Sequence, residues 1–288
     1  MSPAEFKTWL NDPHRRTLVM GVLNVTPDSF SEGGRFSDVD AAIAHGHEMA
    51  GAGAAVIDIG GESTRPGSLP VPAAEQIRRI VPVIRALAGS MPAVISVDTR
   101  QSGVARAALD LGATIVNDIS AGRDDAALLP LAARYAAPVI LMHMLGQPAT
   151  MQMDPRYTDV TSEVIEFLRE RIDAAMAAGI ARDSILIDPG IGFGKTASDN
   201  LRLLRELGRF ASLDCPLAVG TSRKGFVGRI TGESLESRRL FGTAATVAWT
   251  VANGARLVRV HDVGPMSQVV RMIEAITGVE AAGNPPIP

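Results

Sequence analysis

The sequence predicts a single α/β unit, a (β/α)8 TIM barrel with mobile loops at the C-terminal face of its strands, on three observations. Short apolar runs rich in Val, Ile and Leu recur along the chain, and most are continuous rather than alternating. Ala-rich stretches with apolar residues at helical spacing lie between them. Glycines close several of those stretches. Continuous apolar strands suit a parallel sheet buried on both faces, and parallel strands need helical crossovers. Eight such units in 288 residues come to roughly 36 residues each, close to a βαβ repeat. An open doubly wound sheet would need a topological switch point and usually a Gly-rich first turn; the sequence presents neither.

In chain order, residues 1–16 form a polar extension without the apolar core of a signal peptide. The barrel then occupies 17–279. Its first strand is Leu18–Val25 and its first crossover helix Asp40–Ala52, ended by Gly53. The second strand, Ala55–Ile59, leads through a polar loop to the helix Ala73–Leu87. The third, Ala93–Val97, precedes Gly103–Leu111, which Gly112 caps before the fourth strand, Thr114–Val116. Asp125–Tyr135 precedes the fifth strand, Pro138–Met142; Asp159–Ala178, ended by Gly179, precedes the sixth, Ile185–Ile187. Asn200–Phe210 leads to the seventh, Pro216–Val219, and Ser237–Asn253, ended by Gly254, to the eighth, Leu257–Val260. Met266–Ile276 closes the series. Residues 280–288, with three prolines among the last four, offer no periodic apolar face and are expected to fray.

With 28 basic and 31 acidic side chains the formal charge is −3, and 46 % of residues are apolar. That balance excludes disorder and gives no footprint for nucleic acid. No apolar run reaches the roughly 20 residues of a membrane span. The single cysteine, Cys215, forms no internal disulfide, so a reducing, cytoplasmic setting is expected. Its place at a strand start reads as structural.

Barrel chemistry gathers where strands end. Here the runs end in Asn24, in Asp58 with the loop Gly60–Gly67, in Asp98, in Asn117 and Asp118, and in His143. They continue with Asp188, then Ser222, Arg223 and Lys224, and finally Arg259 and His261. Taken singly, each is most often a cap or turn residue. Eight in succession point to a site. Arg65, Lys224, Arg259 and His261 bring positive charge and donors suited to a diphosphate. Asn24 offers a neutral oxygen for Mg²⁺ that keeps most of its waters. Asp98, Asn117 and Asp188 can pair with the N–H edge of a flat heterocycle, and Met142 and Met144 could cover its face.

Signatures of serine hydrolases and zincins are absent. The stretch Gly190–Lys195 lacks Walker spacing and reads as a loop where backbone turns sharply or passes close to a ligand.

Together, Gly21–Ser31, Gly60–Gly67, Ser96–Thr99, Asn117 with Asp118, Leu141–Met144, Asp188–Gly190, Ser222–Lys224 and Arg259–Asp262 resemble the bacterial dihydropteroate synthase family. The resemblance runs from about Leu18 to Ile276 with the motifs in order. It implies a transferase of folate biosynthesis that joins 7,8-dihydropterin-6-ylmethyl diphosphate to 4-aminobenzoate with Mg²⁺, by an SN1-like path, in a homodimer. By resemblance Asp98, Asn117, Met142, Asp188 and Lys224 hold the pterin. Asn24, Thr64, Arg65, Arg259 and His261 serve metal and diphosphate, and Phe30, Pro66, Phe193 and Gly225 serve the aminobenzoate. Arg65, Lys224, Arg259 and His261 are the implied catalytic set. Pro27–Phe36 and Ser63–Leu69 match the family's mobile loops. Two positions depart from many relatives: Glu32 replaces Asp, and Gly225 replaces Ser after the Ser-Arg-Lys motif. The competing expectations are a folate-dependent methyltransferase domain, which would not need the diphosphate cluster, and a non-catalytic pterin-binding paralogue.

Overall fold

The eight apolar runs pair side by side in chain order and close into a parallel barrel, β8 returning to β1. The computed structural model describes residues 1–26 and 35–278. The strands are β1 (Leu18–Asn24), β2 (Val56–Gly60), β3 (Val94–Asp98), β4 (Ile115–Asp118), β5 (Val139–Met142), β6 (Ile185–Asp188), β7 (Leu217–Val219) and β8 (Ala255–Val260). Outside them lie α2 (Arg35–Gly51), α3 (Ala73–Leu87), α4 (Ser102–Leu109), α5 (Leu128–Arg134), α6 (Val160–Ala177), α7 (Ala197–Arg205), α8 (Gly225–Thr231), α9 (Leu240–Ala252) and α10 (Val263–Thr277).

Three elements differ from the sequence expectation. The opening stretch, polar in composition, carries α1 (Pro3–Leu10), started by a capping box between Ser2 and Glu5. Its Phe6 and Trp9 stack 5.4 Å apart and are buried with Leu18, Met20, Val56, Val94 and Leu257 at the strand starts. The helix therefore plugs the N-terminal end of the barrel. The single helix expected over 237–253 starts only at Leu240, and a separate α8 follows Lys224. The helix expected over 200–210 breaks after Arg205 into a 3₁₀ segment, Leu207–Leu213, while Thr196 and Asp199 form a capping box that starts α7 earlier.

Strand alternation separates two cores. Outward-facing Leu23, Ile57, Ile59, Val97, Val116 and Ile187 pack against the helices. Inward-facing residues fill the lower barrel with apolar side chains, but higher up the same faces turn polar. That change of character from floor to mouth positions the site.

Candidate active site

Strand register sets the ring. Asn24 pairs with Gly60, Gly60 with Asp98 and Asp98 with Asn117, so these four stand at one level around the barrel. Gly60 contributes no side chain there. Across the barrel Met142 pairs with Asp188. A cavity of about 380 Å³ opens above this level, and Asn24, Asp98, Asn117, Met142, Asp188, Lys224, Arg259 and His261 all line it.

One turn of strand below lies Asp58, fully buried. Its Oδ2 accepts from Arg259 Nε at 2.7 Å and from Asn117 Nδ2 at 3.0 Å. Arg259 Nη2 donates to Asp98 Oδ2 at 2.8 Å. One guanidinium thus bridges two buried carboxylates. Burial presses the guanidinium pKa down, but Asp58 and Asp98 outweigh it and raise the value. Burial raises the Asp98 carboxyl well above the ordinary range, with Arg259 pulling the other way. Asp188 is raised by burial to about 6, opposed by the Gly190 N–H that donates to its Oδ1 at 2.7 Å.

The turn after β7 supplies the cations. Arg223 takes φ of 58°, a left-handed conformation uncommon outside glycine. The turn brings Ser222, Arg223 and Lys224 to the cavity lining, with the Arg223 guanidinium held in a two-pronged bond to Asp262 at 2.6 and 3.1 Å. Lys224 Nζ lies 4.1 Å from the Phe193 ring centroid. Burial and then Arg259 lower its ammonium to about 8. Ser222 Oγ accepts the His261 backbone N–H at 3.2 Å and sits within hydrogen-bond reach of His261 Nδ1, at 3.1 Å. Burial, followed by Arg259 and Arg223, lowers His261 to about 3. Burial and the neighbouring guanidiniums thus favour the uncharged ring here.

The walls come from loops. Ile119, Met142, Met144, Met151 and Phe193 form an apolar cluster on one side. Thr64, Arg65 and Pro66 line the other, and Arg65 is half exposed, paired with Glu236 at 3.2 Å across the rim. Gly225, at the first position of α8, also lines the cavity. Phe30 and Glu32, within residues 27–34 of the first expected loop, lie outside the described residues, as does the tail over 279–288.

Alternation also removes candidates. Asp118 follows Asn117 and points outward, accepting from Ser120 and Gly122 to build the turn after β4. Glu62 is buried against Arg100, Gln76 and Val71 and braces its loop. His143 follows Met142 and packs edge-on against Phe167, 4.8 Å between centroids. The sequence placed Asp58 and Ser222 among the strand-end residues without giving either a specific chemistry, and it missed Ile119, whose two-residue spacing from Asn117 is the signal that places it inside. It gave Lys195 no role either, and no periodicity marks that residue.

A model for the pterin binding enzyme family matches residues 20–261. The dihydropteroate synthase of Synechocystis is 45 % identical over 267 residues, covering 93 % of this chain and 92 % of that protein. The dihydropteroate synthase of Xanthomonas albilineans, solved with 4-aminobenzoic acid, superposes with a TM-score of 0.87 at 44 % identity, covering 93 % of this chain and 95 % of that one. With 7,8-dihydropteroate the same enzyme gives 0.84 at 42 %, covering 93 % and 97 %. The Yersinia pestis dihydropteroate synthase, solved with a sulfonamide drug, gives 0.86 at 41 %, covering 91 % and 95 %.

Proposed function

The chain belongs to the dihydropteroate synthase family of pterin binding enzymes, and we infer that its barrel mouth carries out that family's condensation. The enzyme is a transferase of folate biosynthesis that joins 7,8-dihydropterin-6-ylmethyl diphosphate to 4-aminobenzoate, giving 7,8-dihydropteroate and diphosphate. The observation that carries the site assignment is convergence: acids and an amide from β3, β4 and β6 share one cavity with cations from β7 and β8.

In this scheme Asp98, Asn117 and Asp188 accept from and orient the pterin edge, Lys224 donates to it, and Met142 covers a face. The bond between the pterin methylene and the diphosphate oxygen breaks first, its electron pair leaving with diphosphate. The aminobenzoate nitrogen then attacks the methylene cation and loses a proton. Around the floor three carboxylates, Asp58, Asp98 and Asp188, face two cations, Lys224 and Arg259. In their ionised forms these carboxylates favour positive charge developing on the pterin, which is electrostatic stabilisation prepared before reaction. Thr64, Arg65, Arg259 and His261 receive the departing diphosphate. Arg65 exchanges Glu236 for phosphate to do so. Phe30, Pro66, Phe193 and the backbone N–H groups at Gly225 receive the aminobenzoate, whose carboxylate suits a helix N-terminus. A sulfonamide that mimics aminobenzoate competes in that slot.

Magnesium fits this donor set in one way. Among the described residues no group of three or more His, Cys, Asp or Glu side chains is placed to cage an ion, whereas Asn24 offers one neutral oxygen at the rim. An ion that keeps its waters and takes its other ligands from diphosphate needs no more. Bound there, it would offset the charge of the leaving group.

A homodimer is supported by apolar side chains left outside: Phe241 and Trp249 on α9 are 85 % and 48 % exposed, and Met272 and Ile276 on the adjoining α10 are 61 % and 67 % exposed. Among the described residues no helix is long and apolar enough to cross a membrane. A cytoplasmic setting suits Cys215, whose thiol burial pushes up to about 11, away from reactivity.

The test follows diphosphate release with and without aminobenzoate. Release that depends on the amine and yields dihydropteroate supports the assignment. Pterin binding without release would mark a binding paralogue instead.

A further inference from the structure

Between β6 and α7 the backbone passes through three left-handed glycines, with φ of 66° at Gly190, 84° at Gly192 and 63° at Gly194. Close approach forbids side chains here. A Cβ on Gly190 would collide with the His143 carbonyl, and one on Gly194 would lie 2.5 Å from the Leu145 carbonyl oxygen. The turns aim the carbonyls of Gly190 and Phe193 at one interior point, and Lys195 Nζ occupies it, 2.9 and 3.0 Å from them. His143 Nδ1 lies at 2.8 Å and the His143 carbonyl at 3.4 Å.

Lys195 is 1 % exposed, and none of these partners is a carboxylate. A buried ammonium without a counter-ion in contact is costly unless each proton finds an acceptor. Here each can, although burial still lowers the Lys195 ammonium to about 7, with Asp188 acting the other way. Burial and then Lys195 hold His143 down to about 2, so its ring stays neutral and can offer Nδ1 as an acceptor. Gln152 and Tyr157 donate to two further loop carbonyls, of Gly192 and Gly194, both at 2.7 Å. The ammonium thus fills the place that a bound monovalent cation would take in a carbonyl cage.

What the cage holds reaches the cavity on two sides. Gly190, whose carbonyl it binds, donates its N–H to Asp188. Phe193, whose carbonyl it also binds, presents its ring to Lys224. We propose that Lys195 is a positioning residue for the condensation, a buried amine donor that fixes the loop over 189–196 so that Phe193 forms a wall for 4-aminobenzoate. The ligand's identity rests on the function proposed above; the cage does not.

The test compares the full-length enzyme with Lys195→Met, which keeps length and loses charge and donors. Amide hydrogen exchange over 189–196 should quicken by about tenfold or more while the strands keep their protection. KM for aminobenzoate should rise about tenfold, with affinity for a dihydropterin lacking diphosphate changed by less than about threefold. Lys195→Gln, which restores two donors, should fall between in both readouts and carries the test if Lys195→Met does not fold. Unchanged loop exchange with unchanged KM overturns the proposal, as does an equal loss for both ligands, which marks general damage. Should the unaltered chain make no dihydropteroate, the functional assignment fails, and the exchange comparison still decides the cage.

Discussion

Replacing Arg259 with Met strips the shared cation from two buried acids and leaves the floor of the site over-charged. The side chains of Asp58 and Asp98 are 0 % and 4 % exposed, and that of Arg259 24 %. Removing one partner of a buried pair costs about 3–5 kcal/mol. Because about a quarter of the Arg259 side chain is already open to water, the lower end applies, about 3 kcal/mol at pH 7. Proton uptake sets a ceiling. Without the guanidinium the folded chain must bind one proton more than before on a carboxyl whose ordinary pKa is 3.8. At roughly 1.4 kcal/mol per pH unit that uptake costs about 4 kcal/mol at pH 7 and about 1.6 kcal/mol at pH 5. The folded state binds the proton and the unfolded chain above its ordinary pKa does not, so the variant's stability falls as pH rises from 4 to 7. Urea unfolding at both pH values measures the difference, with a loss of about 3 kcal/mol at pH 7 shrinking to at most about 1.6 kcal/mol at pH 5. Adding Asp58→Asn should recover most of it. A loss below about 1 kcal/mol at pH 7, or one equal at both pH values, would refute the reasoning.

Other outcomes follow from the same geometry. The pH profile of kcat/KM should be bell-shaped: Asp98 and Asp188, raised by burial to about 7 and about 6, must be ionised to accept from the pterin, and Lys224, lowered to about 8, must be protonated to donate. Activity then climbs as pH rises through the carboxyl values and falls through that of Lys224, and a flat profile from pH 5 to 9 removes these roles. Asp188→Ala should remain folded yet lose pterin affinity by on the order of 100-fold, since charge-assisted bonds contribute about 1.5–3 kcal/mol; near-normal titration of a pterin contradicts the assignment. Nothing stands within 4 Å of a Cβ built on Gly225, so Gly225→Ser fits without strain. It should lower KM for aminobenzoate about two- to fivefold by adding one hydroxyl donor, and an unchanged value shows that the backbone alone receives the carboxylate.

The barrel was legible from eight apolar runs because parallel strands covered on both faces must be apolar throughout, and each run became a strand in register with its neighbour. Asn24, Asp98, Asn117, Asp188 and Arg259 were legible for a related reason: a polar residue that ends such a run stands at the mouth. α1 was hidden by its lysine, arginine and aspartate neighbours, although the Ser2 to Glu5 capping box and the spacing of Phe6, Trp9 and Leu10 encode it.

Composition and periodicity determine which way each strand residue faces, and so which residues can enter the barrel. They do not determine partners, because partnership depends on distances across a closed sheet. Only the folded chain shows that Arg259 spends two of its donors on Asp58 and Asp98, separated from it by 201 and 161 residues. Only the fold, too, lowers His261 and Lys195 from their ordinary values, because burial sets the cost of charge and no local pattern records how much water a side chain has lost.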